Sequence, residues 1–409
     1  MAHQLQRPVR ETVTPAVLQK VVWAGANLGS FPQASAALNE LADIELSPKR
    51  VRRITEQIGQ DRLDERQQQV ADFKEKPLME KAKSPVAVDS PELGVVMFDG
   101  GRYQRRDHFN EKSYDGSHWK EDKVGIVLHM QSEVLKTDPH PEFPEWLAHA
   151  DVVREIAALG EIGEGKDSIS EGNAHPDETP DLPSNWNQLT PKLLSREVIA
   201  SSECGKDFGH HLESIAWQQG VIDAPRTAFV ADGASVNWTI HRQHFSHMTG
   251  ILDLMHALSY AWKAAKALED RPAYERYATL IWQGEVGKVI DELKSRQRPE
   301  KPSSDESSSD DPPDPIARAI TYFTNHSHRM NYPKYRQQGL PLTSSHIEST
   351  IKQINIRMKG SEKFFHQATG ETLLQLRADS ISQSQPLNQF WPRWFKNQTG
   401  ANTYRKQTV

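Results

Sequence analysis

The sequence predicts an α/β fold, and three short stretches carry that prediction. Gly94-Val-Val-Met-Phe-Asp99 and Phe229-Val-Ala-Asp232 are apolar runs that each end in Asp-Gly. Such a run reads as a buried strand delivering a carboxylate at its carboxyl end, where open α/β sheets place their chemistry. Gly250-Ile-Leu-Asp253 repeats the device. Asp253 opens a helix there, and His256 follows one turn later on the same helix face. Taken alone, Asp253 fits a helix N-cap equally well.

A chain of 409 residues suits two or three domains, and a hydrophobic content of 36% is enough for a substantial core. No apolar run approaches the ~20 residues that a membrane helix needs. The opening MAHQLQRPVRETVT contains no apolar leader, and the single cysteine, Cys204, excludes an intrachain disulfide, so a reducing cytoplasm is expected. Beside Gly205, Cys204 reads as buried filler rather than a nucleophile. The net charge of −6 is unevenly placed: residues 133–190 hold 13 acids against 3 bases, and residues 300–315 hold 6 against 1. Both segments are rich in Pro, Ser or Gly and read as solvated insertions or linkers, which leaves the rest of the chain basic.

In chain order, Pro15 to Leu28 and Pro32 to Leu41 have helical spacing of apolar residues. Ser47-Pro48 then supplies an N-cap and a first-turn proline for a third helix, which buries Val51, Ile54 and Ile58 and ends at Gly59. Lys49, Arg50, Arg52 and Arg53 remain on its outer face. Two short helices and a basic third make a helix-turn-helix whose last helix suits a major groove, the alternative being a solvated basic face on a packing helix. Residues 60–83 read as a charged connecting helix.

The Asp99 strand is followed by a basic hairpin, Gly101-Arg102-Tyr-Gln-Arg-Arg106, and by the strand Val124-Gly-Ile-Val-Leu-His-Met130. An acid-bearing first strand with antiparallel neighbours suits a ribonuclease-H-like sheet better than a purely doubly wound one. After the acidic insertion, Thr190-Pro191 caps a helix predicted to run to about Gln219, with a break at Gly205. Helices are expected near 254–268, 272–283, 285–297 and 314–330. Ile347, Ile351, Ile354 and Met358 then mark an amphipathic helix with Glu348 beside its stripe. Ser345-His-Ile-Glu348 also fits a capping box, which would make Glu348 structural.

Asp99, Asp232 and Glu348 nevertheless form an ordered Asp, Asp, Glu set. Three carboxylates brought together repel unless divalent cations neutralise them. Hard oxygen ligands favour two Mg²⁺ or Mn²⁺ ions, which activate a water or 3′-hydroxyl at a phosphodiester. Zinc-type Cys/His clusters, a phosphate-binding Gly-rich loop with Lys and a Gly-x-Ser-x-Gly elbow are absent from the sequence.

The stretches VVMFDGGRYQRRD, HWKEDKVG, FVADGASVNW, ILDLMHAL and SHIESTIKQINIRMKGSEKFF resemble those of bacterial insertion-sequence transposases of the ISKra type, relatives of the eukaryotic Mutator-like superfamily. The resemblance covers most of residues 10–382 and spares the two acidic segments. It implies a ribonuclease-H-like catalytic core (84–258 and 341–382, interrupted by an acidic insertion at about 135–189) and an N-terminal helix-turn-helix domain (1–83). It further implies an all-helical insertion domain (259–340, with an acidic linker at 299–315), and beyond it a basic tail (383–409) is expected. Asp99, Asp232 and Glu348 would be the catalytic, metal-binding triad, and Asp253-Leu-Met-His256 fits the superfamily's Cys/Asp-x-x-His motif. Trp282 is the candidate for stacking on a base, with core packing as the competing reading.

The function expected from these readings is that of a cytoplasmic, nucleoid-associated bacterial DNA transposase that binds terminal inverted repeats and cuts and rejoins strands. Its partner is double-stranded DNA, on which a homodimer or higher oligomer is expected. Lys352, Arg357, Lys359 and Lys363 follow Glu348 and are expected to meet phosphates, with Arg102 nearby; a solvated basic face is the bland alternative. A structure-selective nuclease and a non-catalytic repressor derived from a transposase remain the other function classes.

Overall fold

The structure, a computed structural model, describes residues 13–107, 118–149, 152–156, 191–297, 314–360 and 363–398. The chain opens with α1 (Pro15–Asn27), α2 (Phe31–Ala42) and α3 (Pro48–Glu75). Each starts the same way. Thr14, Ser30 and Ser47 accept a hydrogen bond from the backbone N–H three residues on, and a proline fills the first turn, where its missing N–H costs nothing.

α3 does not stop at Gly59. It runs on for 28 residues, because Gly59 is where α3 crosses a later helix: a Cβ there would come within 2.7 Å of Thr372 Cβ. The expected glycine cap is a close-packing glycine. A single turn, α4 (Leu78–Lys81), then leads to the sheet.

The sheet combines β1 (Leu93–Arg105), β2 (Trp119–Gln131), β3 (Lys192–Ser201), β4 (Arg226–Ala231), β5 (Thr249–Leu252) and β6 (Phe364–Phe365). Its order is β3-β2-β1-β4-β5, and β6 pairs with the far end of β1. The β3, β2 and β1 pairings are antiparallel, whereas β4 and β5 run parallel to β1. The first six residues of β1 are all buried, as a strand covered on both faces requires. The fold is therefore α/β with a mixed central sheet.

Two expectations change here. Gly101–Arg106 is not a hairpin, because β1 continues through Arg105 with its partner β2 in register to Trp119. Residues 192–201 form β3 rather than a helix. Leu193, Val198 and Ile199 satisfy a helical and an extended pattern alike, and pairing with β2, which places Ile199 opposite Gly125, decides for the strand.

Around the sheet lie α5 (Gly205–Gln218), α6 (Ser235–His244), α7 (Leu254–Ala267), α8 (Arg271–Trp282), α9 (Val286–Arg296), α10 (Pro315–His326) and α11 (Tyr332–Gln337). Then come α12 (Ser345–Met358), α13 (Gln367–Ile381) and α14 (Pro386–Gln398). Tyr332 and Tyr335 donate their hydroxyls to the Leu252 and Gly250 carbonyls, covering the outer strand β5. Among the described residues no helix is long and apolar enough to cross a membrane.

Part of the segment expected to be a solvated acidic insertion is folded. Leu147, Val152, Val153 and Ile156 are buried in the main core, and Asp138 takes both ends of the buried Arg336 guanidinium at 2.8 and 2.5 Å. Residues 157–190 of that segment, and 298–313 of the acidic linker, lie outside the described residues. Residues 386–398, read as part of a basic tail, form α14. Its Phe390, Trp391 and Trp394 fill a second core with α1, α2, α3 and Leu376, a stripe at helical spacing that burial rewards.

The charged half of α3 docks on α13 through buried ions. Arg66 reaches Gln375 at 2.7 Å and Glu371 at 3.1 Å, and Arg62 Nε lies 2.9 Å from Asp379 Oδ2 with both side chains buried. Removing one partner of such a pair strands the other charge. Asp379→Ala is therefore expected to destabilise the protein by about 3–5 kcal/mol, read as the shift of the urea midpoint at constant slope; an unchanged midpoint would show that the pair contributes nothing.

Candidate functional site

The strand register assembles the site. In the parallel pair β1/β4, Leu93 stands opposite Arg226 and Met97 opposite Val230, so two residues further on Asp99 comes level with Asp232. In β4/β5, Ala228 stands opposite Thr249 and Ala231 opposite Leu252, so Asp232 comes level with Asp253. Neighbouring strands lie about 4.8 Å apart, which sets three carboxylates side by side, just past the carboxyl ends of β4 and β5 and midway along β1, which runs on to Arg105.

Asp253 is fully buried and joins this edge to the next elements. Its N–H donates to the Ala231 carbonyl at 2.9 Å, and Leu254 N–H to the Leu342 carbonyl at 3.0 Å. Asp253 Oδ1 accepts from Met255 N and Ser344 N, each at 3.3 Å. It thus caps α7 and also fixes the start of α12, which brings Glu348 to the same edge. Asp253 Oδ2 is bonded to His256 Nδ1. Ligand-type atoms of Asp253, His256 and Glu348 lie within 4.8 Å of one another. The capping-box reading of Glu348 fails, since the N-cap is Ser344 and it makes no side-chain cap.

Asp232 Oδ1 accepts from Ala234 N at 2.8 Å and Asn237 Nδ2 at 2.7 Å. These bonds orient the carboxylate and start α6. Above it, the buried Tyr322 of α10 lies so close to Gly233 that any Cβ there would collide with its ring. The sequence reading missed Asn237 and Tyr322; Asn five residues after a strand-end Asp was the available signal for the first, and nothing in sequence joins Tyr322 to Gly233.

The charges are concentrated. Burial, and then Asp232, raise the Asp99 carboxyl to about 7, with Glu348 adding and the Gly100 amide and His256 opposing. Burial also raises Glu348, Asp253 adding to the effect while His256 and Lys352 counter it. For His256, burial works against its charge, but the Asp253 hydrogen bond and the surrounding carboxylates outweigh it and lift the imidazole to about 9. A free histidine titrates near neutrality; beside Asp253, Asp232 and Glu348 the His256 ring is an imidazolium there instead.

Of the residues expected to contact DNA, Lys49 and Arg53 are exposed on α3 and Arg50 is half-buried. Arg52 pairs with Glu56 at 2.8 Å and reaches Thr369 at 3.4 Å. Arg102 and Lys359 are exposed past Asp99 and at the end of α12, and Lys352 is exposed one turn after Glu348. Lys363 donates to the Ile356 and Arg357 carbonyls, closing the end of α12.

Two expectations are corrected. Arg357 is 2% exposed; its Nε donates to the Gly25 carbonyl at 2.9 Å and its guanidinium lies 4.7 Å from the Phe31 ring centre, so it joins α12 to α1 and α2 rather than standing on the surface. Burial, with Arg377, lowers its pKa to about 10. Arg52, Arg357 and Lys363 do converge with Arg106, which the sequence reading missed, around a cavity of about 200 Å³. Trp282 is fully buried, its Nε1 bonded to the His140 carbonyl at 2.8 Å and its face covered by Arg336 at 4.1 Å. It has no free face for a base.

No known protein-family model matches the chain, and a search of curated proteins finds no match.

An acid whose pKa is raised on folding stabilises the fold below its unfolded value and loses that contribution as pH rises through the folded one. For Asp99 that window runs from 3.8 to about 7. In chelator-treated protein, Asp99→Asn is expected to raise Tm at pH 8 and to match wild type at pH 4; equal Tm values at pH 8 would sink this reading of the cluster. Trp282→Ala is expected to cost about 3–5 kcal/mol in stability, as for other large-to-small core changes. DNA affinity per folded molecule should not change, and a selective loss of binding in filter-retention assays would restore the base-stacking role.

Proposed function

We propose that this chain is a DNA transposase with a ribonuclease-H-like core, which binds the inverted repeats of its element and cuts and joins DNA strands. The observation that carries the proposal is the common register of Asp99, Asp232 and Asp253, with Glu348 brought to the same edge by the Leu342 and Ser344 contacts. The strand order and the antiparallel-then-parallel pairing are compatible with that core, and the resemblance of the sequence motifs adds the reaction.

Asp99, Asp232 and Glu348 would hold two Mg²⁺ or Mn²⁺ ions. Their donor set fits: hard carboxylate oxygens where burial first, and neighbouring carboxylates second, lift Asp99 to about 7 and raise Glu348, a cost of holding charge that a divalent cation relieves. Bound there, such ions supply activation of a water or 3′-hydroxyl and stabilisation of the leaving oxygen. Asp253 holds His256 through Nδ1, which leaves Nε2 as the remaining donor for a phosphate oxygen, and the positive charge of His256 favours that contact. The basic face of α3, with Lys49 and Arg53 exposed, is assigned to the repeat DNA, and Arg102, Lys352 and Lys359 to phosphates near the site.

The test uses DNA carrying the sequences that flank the gene, with Mg²⁺. Wild type is expected to nick the repeat ends and join them to a second duplex, whereas Asp232→Asn retains repeat binding in a gel shift and loses cleavage by at least about 100-fold. His256→Ala is expected to lower cleavage ~10- to 100-fold with binding and Tm little changed. Cleavage by Asp232→Asn at the wild-type rate would remove the mechanism; cleavage without joining would identify a nuclease.

A further inference from the structure

A second cluster lies away from the carboxylate edge, between α5 and α6. His210 and Glu213 are three apart on α5 and share a face; His244 is the last residue of α6. Glu213 Oε2 lies 2.7 Å from His244 Nδ1 and 3.9 Å from His210 Nδ1. The two imidazole rings meet nearly at right angles, centres 4.7 Å apart. One ligand-type atom from each of the three residues falls within 4.8 Å of the others.

We propose that His210, Glu213 and His244 form a Zn²⁺ site that clamps α5 to α6. Zinc bonds of about 2.0–2.1 Å to imidazole nitrogen and carboxylate oxygen place tetrahedral ligands roughly 3.3 Å from one another, between the two separations on either side of Glu213. Two nitrogens and one oxygen, without thiolate, suit this borderline ion better than Mg²⁺ or Ca²⁺. The fourth position is left to water, and the 26% and 23% exposure of the His210 and Glu213 side chains gives an ion access.

The His244 ring is already aimed. A Cβ on Gly209 would come 2.6 Å from its Nε2, so the ring is seated against the α5 backbone with Nδ1 turned to Glu213. Burial and His244 lower the His210 pKa, leaving the neutral ring that a metal requires. Lys74, Asp207 and His247 are the other charged or titratable groups around the cluster.

The site is separate from the proposed catalytic edge. Asp232 precedes the first turn of α6 and His244 ends it, and ten helical residues span about 15 Å. A clamp at the far end would hold the helix that begins directly after Asp232.

The experiment uses the full chain after chelation and removal of the chelator. Titrated with Co²⁺, it is expected to develop the visible absorption of a four-coordinate ion at one equivalent, and equimolar Zn²⁺ is expected to raise Tm. His210→Ala and Glu213→Gln, both at partly exposed positions, should each weaken Zn²⁺ binding at least about tenfold, whereas Glu348→Gln should bind as wild type does. His244→Ala is less decisive because its ring is packed. Undiminished Zn²⁺ binding in both His210→Ala and Glu213→Gln overturns the proposal, as does loss of the signal in Glu348→Gln alone, which would place the ion among the edge carboxylates.

Discussion

The register of the parallel strands is the constraint on which the rest of the arrangement depends. Side chains alternate faces along a strand, so a slip of one residue would turn every carboxylate to the opposite side. β1, β4 and β5 resist slipping because their approach to the edge is apolar on both faces: Val95 to Phe98, Phe229 to Ala231, and Ile251 with Leu252 are all buried. The core thus fixes the level of Asp99, Asp232 and Asp253, and their mutual repulsion is carried by packing that involves none of them. The result is a strained electrostatic environment on a rigid support, with the His256 imidazolium as its internal counterion.

Asp253 shows how one buried carboxylate joins several elements at once. It caps α7, receives the Ser344 amide at the head of α12, and holds His256. The N-cap reading of this residue holds, and it is compatible with a place at the proposed site, because an N-cap at the end of a central strand already stands at the sheet's carboxyl edge.

The second core is tied to the first by cations buried between them. Arg62 and Arg66 of α3 meet Asp379, Gln375 and Glu371 of α13, and Arg357 of α12 meets the Gly25 carbonyl of α1. Buried guanidinium groups demand partners in fixed geometry. That geometry fixes how α1 and α3 sit against α12 and α13. Trp282 and Arg336 make a similar joint between α8, α11 and the segment around His140 and Asp138.

The sequence by itself determined the local features whose physics is contained within a few residues. It marked the apolar strands that lead to Asp99, Asp232 and Asp253, the helices α1 and α2, the capped start of α3, the helices between Asp253 and Arg296, and the Glu348 helix, because apolar periodicity and capping chemistry are short-range. It also singled out the residues that the register later gathers. Tertiary structure decided what depends on a distant partner: β3 became a strand because β2 offers it a ladder, Gly59 became a crossing point because α13 presses on it, and α14 became part of a core because three helices from the other end of the chain expose its complement. It decided charge as well. Arg357 reads as a surface group until burial encloses it, burial settles Trp282 in favour of core packing, and carboxylates around His256 hold its charge well above the range of a free histidine, since a side chain's environment is assembled from residues that sequence order keeps far apart.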